Sequence, residues 1–138
     1  MKAAVKLISL IFLLSLFSCK SYLNLNNQDN SKLLELKRTE SKDLQTTSVK
    51  ITVRELINRN PMPFTSVNLL KDKKEIEFVA NDGGIVLIDN LEEGVYKLAV
   101  SFVGFDKLII KRLNIIKGED LELVVGLREK TEVFYPVM

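Results

Sequence analysis

Apolar and polar residues alternate along most of the chain beyond residue 48, which is the pattern of half-buried β-strands. The clearest example spans residues 95–103, where Tyr96, Leu98, Val100 and Phe102 fall on one face and the residues between them fall on the other. We therefore predict that these four side chains pack into a core.

Glycines interrupt this pattern at three places. Gly83 precedes the apolar run at residues 85–88, Gly94 precedes the strand at 95–103, and Gly104 ends that strand beside Phe105. Glycine adopts backbone conformations that other residues rarely reach, so it is typical of tight turns. We predict structural turns at Gly83, Gly94 and Gly104, with the Phe105 ring closing one end of the core.

The complete pattern predicts seven short strands separated by turn signals, with no long amphipathic helix between them. The predicted strands cover residues 49–54, 64–70, 75–79, 85–88, 95–103, 107–116 and 121–127. The fold class is therefore all-β, and we expect a seven-stranded antiparallel β-sandwich at residues 49–130. Roughly 80 residues of this composition suffice for one core without disulfides.

The sequence DGGIVLIDNLEEGVYKLAVSFVGF at residues 82–105, with PMPFTSVNLL upstream at 61–70, resembles the carboxypeptidase regulatory-like domain. The resemblance covers about residues 49–129. It implies a transthyretin-like (prealbumin-like) β-sandwich with no catalytic function. In relatives the domain is appended to carboxypeptidases and to outer-membrane transporters that depend on the TonB energy-coupling protein.

The first nineteen residues have the layout of an export signal. Lys2 and Lys6 precede residues 7–17, of which nine are apolar, and this run is too short to span a bilayer. The following Leu-Phe-Ser-Cys at residues 16–19 resembles a bacterial lipobox, which predicts a signal peptide at 1–18 and lipid on Cys19. The alternative is an ordinary cleaved signal with an incidental cysteine, but the only cysteine of an exported chain has no disulfide partner.

Residues 19–48 are polar and contain neither glycine nor proline, so we expect a lipidated N-terminus followed by a flexible tether. Leu33, Leu34 and Leu36 allow three helical turns as an alternative. No acidic cluster follows Cys19, which resembles outer-membrane lipoproteins that face the periplasm.

Composition excludes several kinds of function. The chain has no histidine, the usual general base and zinc ligand, so we expect no enzyme activity, no metal site and no cofactor. The alternative is an enzyme such as a Ser-Lys hydrolase, whose chemistry needs no histidine. Residues 1–18 carry two lysines and no acid, and the remaining chain has equal numbers of basic and acidic residues. A neutral mature chain gives no support to nucleic-acid binding.

Acidic residues beside the predicted turns have two interpretations. The pairs at residues 92–93 and 119–120 are typical of solvated turns. The Asn-Asp pair at 81–82 and the Asp-Asn pair at 89–90 are typical of residues that form turns. As an alternative, their side-chain oxygens could bind calcium.

These features predict a lipid-anchored, non-catalytic binding or assembly module of the bacterial cell envelope, associated with an outer-membrane transport complex. The alternative is a carbohydrate-binding surface lipoprotein, which requires exposed aromatic residues in loops. The expected partners are membrane lipid, through acylated Cys19, and an envelope protein. The residues do not indicate a small-molecule ligand.

The chain beyond the last strand, residues 131–138, is unusually apolar for a solvated tail. Phe134 and Tyr135 are candidate partner-binding residues within it. Two interpretations are open: the tail covers part of its own sandwich, or it docks on a partner.

Overall fold

A computed structural model describes residues 30–131. The predictions for the signal peptide at 1–18, for lipid on Cys19 and for Phe134 and Tyr135 lie outside these residues. No helix in the described range is long and apolar enough to cross a membrane.

The described chain forms eight strands in two four-stranded sheets. The strands are β1 (Lys32–Glu40), β2 (Ser48–Glu55), β3 (Ser66–Lys71), β4 (Lys74–Val79), β5 (Ile85–Asp89), β6 (Gly94–Ser101), β7 (Leu108–Ile115) and β8 (Glu119–Leu127). One sheet has the order β1-β8-β2-β5, and the other has the order β4-β3-β6-β7. The all-β class predicted from the alternation is confirmed.

The strand count differs from the predicted seven because β1 forms within the segment that we expected to be a flexible tether. β1 pairs with β8 along its whole length, from Lys32 opposite Gly126 to Glu40 opposite Glu119. Leu33 packs against the core. Without β1, β8 would present an open edge of unpaired backbone groups, and pairing with β1 satisfies them.

The sheets are also not purely antiparallel as predicted. β2 and β8 pair in parallel, with Ser48 opposite Asp120 and Glu55 opposite Leu127, whereas the other paired strands are antiparallel. Parallel neighbours require a long connection, and here the whole second sheet lies between β2 and β8 in the sequence.

One core lies between the sheets. It is formed by alternate residues of both, and its fully covered members include Val49, Ile51, Val53, Val67, Leu69, Leu98, Val100, Leu123 and Val125. Three of the four residues predicted to share the core face of 95–103 are buried, namely Tyr96, Leu98 and Val100. The fourth, Phe102, lies beyond the end of β6 and is 37% exposed, so its assignment to the core was wrong.

Candidate functional site: an aromatic cleft

The two ends of the sandwich have different chemistry. At the end where β3 stops and β6 begins, a pocket of about 410 Å³ lies beside the turn between β3 and β4. Its lining is mainly polar: Lys71, Asp72, Lys74, Ile76, Asn90, Leu91, Glu92 and Tyr96.

Polar groups of this pocket are bonded to one another. Lys71 Nζ donates a hydrogen bond of 2.8 Å to the carbonyl oxygen of Glu93 and lies 3.6 Å from the Glu92 carboxylate. The Tyr96 hydroxyl donates to the carbonyl oxygen of Glu92 at 2.6 Å. Burial, and then the charges of Glu92 and Asp72, raise the pKa of Tyr96 above its ordinary value of 10.0. These bonds join the end of β3 to the loop before β6, so the polar groups of this pocket stabilise the fold.

The opposite end, where β3 begins and β6 stops, carries a more apolar cleft of about 440 Å³. We call it the aromatic cleft. Its lining comprises three phenylalanines, one valine, two serines and two lysines: Phe64, Ser66, Ser101, Phe102, Val103, Phe105, Lys107 and Lys130. Ser66 and Ser101 face each other across the β3–β6 ladder and form its floor, while the aromatic side chains come from the loops.

Phe64 is held outside the core in an unfavourable backbone conformation. Its φ is 63°, in the left-handed region that bulky residues rarely occupy, and its side chain is 67% exposed. The conformation is fixed by neighbours: the Phe64 N–H donates to the carbonyl oxygen of Ala80 at 3.0 Å, and the buried Thr65 hydroxyl donates to that of Met62 at 2.8 Å. Strain of this kind persists only where surrounding structure imposes it, and it concentrates at functional sites.

The second wall is the loop between β6 and β7. The rings of Phe102 and Phe105 meet edge to face, with centroids 5.7 Å apart and an interplanar angle of 67°. Phe105 also packs against the core, whereas Val103 is 93% exposed. Gly104 has a φ of 86°, and this left-handed residue lets the loop reverse so that Val103 projects outward.

This loop is attached to the chain that leaves β8. The Lys130 N–H donates to the carbonyl oxygen of Gly104 at 2.8 Å, and the Asp106 N–H donates to that of Arg128 at 2.8 Å. Ser31 joins both segments, because its hydroxyl donates to the carbonyl oxygen of Asp106 at 2.6 Å and accepts a bond from the Arg128 N–H at 2.8 Å. The wall of the cleft is therefore preorganised by backbone bonds.

The charged groups in the cleft lining are basic. Lys107 and Lys130 line it, and within residues 30–131 neither ammonium group pairs with a carboxylate. Glu77 lies beside the floor, where its carboxylate accepts a hydrogen bond of 2.9 Å from the Ser66 hydroxyl. Residues 30–131 contain no cluster of three or more Asp, Glu, His or Cys side chains able to hold a metal. The arrangement suits an apolar or aromatic ligand group with an acidic or hydroxyl neighbour.

The predicted turn glycines are placed as follows. Gly83 lies in a turn but without positive φ, and the left-handed residue there is its neighbour Gly84, with a φ of 72°. Gly94 begins β6 with a φ of 145°. Only Gly104 lies at the aromatic cleft. Phe64, the most constrained residue of the cleft, was not a predicted site residue, because we assigned it to a strand.

Comparisons with known proteins add a fold likeness. No family model matches the chain, and no curated protein matches its sequence. The chain is similar to the crystal structure of a proposed carbohydrate-binding protein from Bacteroides uniformis ATCC 8492, with a TM-score of 0.51 and 8% identity. The match covers 59% of this chain but only 40% of that chain. At this identity the likeness concerns the fold alone.

Proposed function

We propose that the protein is a lipid-anchored, non-catalytic binding module of the bacterial cell envelope, and that the aromatic cleft holds its partner. The observation that carries this proposal is Phe64, a large apolar side chain that is 67% exposed although its backbone is strained. The strained backbone costs stability and the exposed ring buries little of its surface, whereas a binding surface gains an aromatic anchor.

The position of the N-terminus supports a site close to the membrane. Ser31 is bonded to Asp106 and Arg128, so the chain enters the sandwich at the same end as the aromatic cleft. Ser31 is the twelfth residue after Cys19, and an extended chain of twelve steps spans at most about 43 Å. With lipid on Cys19, Ser31 lies within that distance of the bilayer surface, at the same end of the sandwich as the cleft. A partner embedded in the same membrane is therefore the natural ligand.

The resemblance of residues 82–105 to the carboxypeptidase regulatory-like domain supports an assembly role beside an outer-membrane transporter. The resemblance suggests that the partner is a transporter, and we expect the aromatic cleft to be the surface that contacts it. Val103 and Phe64 are the anchors that we expect a partner to cover, since exposed apolar side chains in a shaped cleft gain most from desolvation.

Photocrosslinking in intact cells tests this proposal. Benzoylphenylalanine replaces Phe64 in one variant and Leu87 in a matched control, because both side chains are 67% exposed and Leu87 lies on β5 of the other sheet. We expect a discrete, protease-sensitive crosslinked product at position 64 and none at position 87. Equal products at both positions, or none at position 64, would contradict the assignment of the cleft.

Carbohydrate binding is the second candidate, because aromatic residues exposed in loops are what a sugar-binding surface requires and the structure shows them at Phe64 and Phe102. The Bacteroides uniformis neighbour, itself a proposed carbohydrate-binding protein, is consistent with this function. Electrophoresis through gels that contain envelope polysaccharides separates the two candidates. Retardation of the wild type that is lost in Phe64→Ser but kept in Leu87→Ser would favour the carbohydrate, and unretarded migration of all three would favour the protein partner.

A further inference from the structure

Exposed apolar side chains collect at one end of the sandwich. Within residues 30–131 the two most exposed large apolar side chains are Val103, at 93%, and Ile57, at 88%. Both lie in loops at the end that carries the aromatic cleft, as does Phe64. Val103 and Phe64 line the cleft, whereas Ile57 does not. Apolar side chains gathered at one end indicate an interaction surface, and the cleft leaves Ile57 unexplained.

The loop that carries Ile57 is fixed by its neighbours. The Glu55 N–H donates a hydrogen bond of 2.9 Å to the carbonyl oxygen of Asn60, which closes the loop on itself. The Leu56 N–H donates to the carbonyl oxygen of Leu127 at 2.9 Å, and the Leu56 side chain is buried. Because Leu56 is held inward, the next side chain, Ile57, is held outward.

This loop lies beside the point where the chain towards Cys19 leaves the sandwich. Leu56 is bonded to Leu127, and the residue after it, Arg128, donates its N–H to the Ser31 hydroxyl oxygen at 2.8 Å. Ser31 is the twelfth residue after Cys19. A lipid on Cys19 therefore keeps the loop at a high effective concentration near the bilayer, so a contact through one side chain suffices to populate a bound orientation.

A lipid surface suits this loop because it requires no matching pocket. An isolated aliphatic side chain gains free energy when it leaves water for the boundary between headgroups and acyl chains. Residues 56–63 contain one base and no acid, so anionic headgroups do not repel the loop. Ile57 therefore has the position and the surroundings of a membrane contact.

We propose that Ile57 inserts into the interfacial region of the membrane that carries the protein. The contact rests on the lipid anchor of the proposed function, but it does not depend on which partner occupies the aromatic cleft. Two attachments, the lipid and the loop, restrict the rotation of the sandwich more than the lipid does alone. The cleft is then held at the membrane surface, where a partner embedded in the same bilayer reaches it.

Tryptophan fluorescence of the lipid-bearing protein tests this contact. The chain has no tryptophan, so Ile57→Trp and Leu44→Trp each introduce the only indole. Leu44 is the matched control, because it is 59% exposed and precedes β2, whereas Ile57 follows β2 at the opposite end of the sandwich. Both replaced side chains are exposed, so neither substitution empties the core.

Each variant is placed in nanodiscs that carry one copy, made of phosphatidylethanolamine and phosphatidylglycerol with or without bromine on the acyl chains. We expect bromine to quench the indole at position 57 several-fold more than the indole at position 44. The emission at position 57 should also be blue-shifted relative to that at position 44.

Three results would overturn the proposal. Equal quenching at the two positions would show that the loop has no preference for lipid. Blue-shifted emission at position 57 without quenching would show that protein covers the side chain. Emission at position 57 that is neither shifted nor quenched would leave the loop in water.

These results are distinguishable from a failure of the proposed function. If Cys19 carries lipid and any of the three is found, the membrane contact fails and the anchor stands. If Cys19 carries no lipid, the anchor and the membrane contact fail together. Crosslinking at position 64 reports the protein partner separately in either case.

Discussion

The hydroxyl of Tyr96 donates a hydrogen bond of 2.6 Å to the carbonyl oxygen of Glu92, four residues before it. This bond closes the loop that leads into β6, at the end of the sandwich opposite the aromatic cleft. Lys71 Nζ lies 5.6 Å from the centre of the same ring and bonds to the next carbonyl group, that of Glu93. One tyrosine therefore joins the core to the connection between β5 and β6.

Replacement of this hydroxyl should change the dependence of stability on pH. Unfolded tyrosine ionises near its ordinary pKa of 10.0, whereas burial, Glu92 and Asp72 raise the pKa of folded Tyr96. As pH rises above about 10, the unfolded chain loses this proton first, so the free energy of unfolding falls until the raised pKa is passed. Below pH 10, we expect the free energy of unfolding of wild type to exceed that of Tyr96→Phe by roughly 0.5–1.5 kcal/mol. Above pH 10 this difference should shrink.

Denaturant unfolding at several pH values measures the free energy of unfolding of wild type and Tyr96→Phe. The two proteins differ only at this position, so the difference between the curves isolates Tyr96. Parallel curves across the alkaline range would contradict the prediction. Tyr96→Ala removes the buried ring as well and should lower the free energy of unfolding by roughly 3–5 kcal/mol.

Two adjacent glycines should differ sharply in their tolerance of alanine. A Cβ at Gly84 would lie 2.5 Å from the carbonyl oxygen of Val53 and 2.9 Å from the backbone nitrogen of Met62, and the φ of Gly84 is 72°. A Cβ at Gly83 meets nothing closer than 3.4 Å. We expect Gly84→Ala to lower the free energy of unfolding by more than about 2 kcal/mol, and Gly83→Ala by less than about 1 kcal/mol. Equal midpoints of chemical denaturation for the two variants would contradict this assignment.

Seven of the eight strands could be predicted because each carries a local signal, either alternation or a short apolar run bounded by turn residues. β1 could not, since Leu33 and Leu34 are adjacent and Leu36 follows, so the segment has neither the period of a strand nor that of a helix. Its structure depends on β8, whose paired residues lie 79 to 94 residues away in the sequence, from Glu40 opposite Glu119 to Lys32 opposite Gly126. A pairing at that separation leaves no trace in the local pattern.

The aromatic cleft was missed for a related reason. Alternation places Phe102 in phase with the buried Tyr96 and Leu98, but β6 ends at Ser101 and the pleat no longer directs the next side chain. Phe64, by contrast, is out of phase with Val67 and Leu69, the alternating apolar residues of β3 that are buried. The pattern therefore did contain a signal that Phe64 faces away from the core. Its positive φ accompanies a hydrogen bond from its N–H to Ala80, sixteen residues later, and local sequence does not specify that contact.

Strand β1 can be tested by two leucine substitutions. Leu33 packs against the core, whereas Leu36 is 44% exposed at the sheet edge. We expect Leu33→Ala to lower the free energy of unfolding by roughly 2 kcal/mol and Leu36→Ala by clearly less, as measured by chemical denaturation. In a flexible tether both substitutions would be neutral, and that result would contradict the strand.

Lipid on Cys19 is tested by substitution and metabolic labelling. Cys19→Ala should abolish incorporation of a labelled fatty acid and processing to the mature size, because the thiol that carries the lipid is gone. Ser18→Ala is the matched control: it keeps a small residue before the cysteine and should be labelled and processed like wild type. A Cys19→Ala chain that still appears at the mature size and carries the label would contradict lipidation.

A final pair of substitutions separates strain from binding at the aromatic cleft. Phe64 and Arg59 both have left-handed backbones, with φ of 63° and 64°, and glycine relieves that strain in either case. The gain is partly offset because glycine makes the unfolded chain more flexible, so we expect the free energy of unfolding to stay level or to rise by up to about 1 kcal/mol in both variants. Binding of the crosslinked partner should be lost in Phe64→Gly and kept in Arg59→Gly. A Phe64→Gly protein that binds like wild type would show that the exposed ring is not an anchor. A fall in the free energy of unfolding of more than about 1 kcal/mol would instead show that the ring stabilises the fold, and the strained conformation would no longer indicate a binding site.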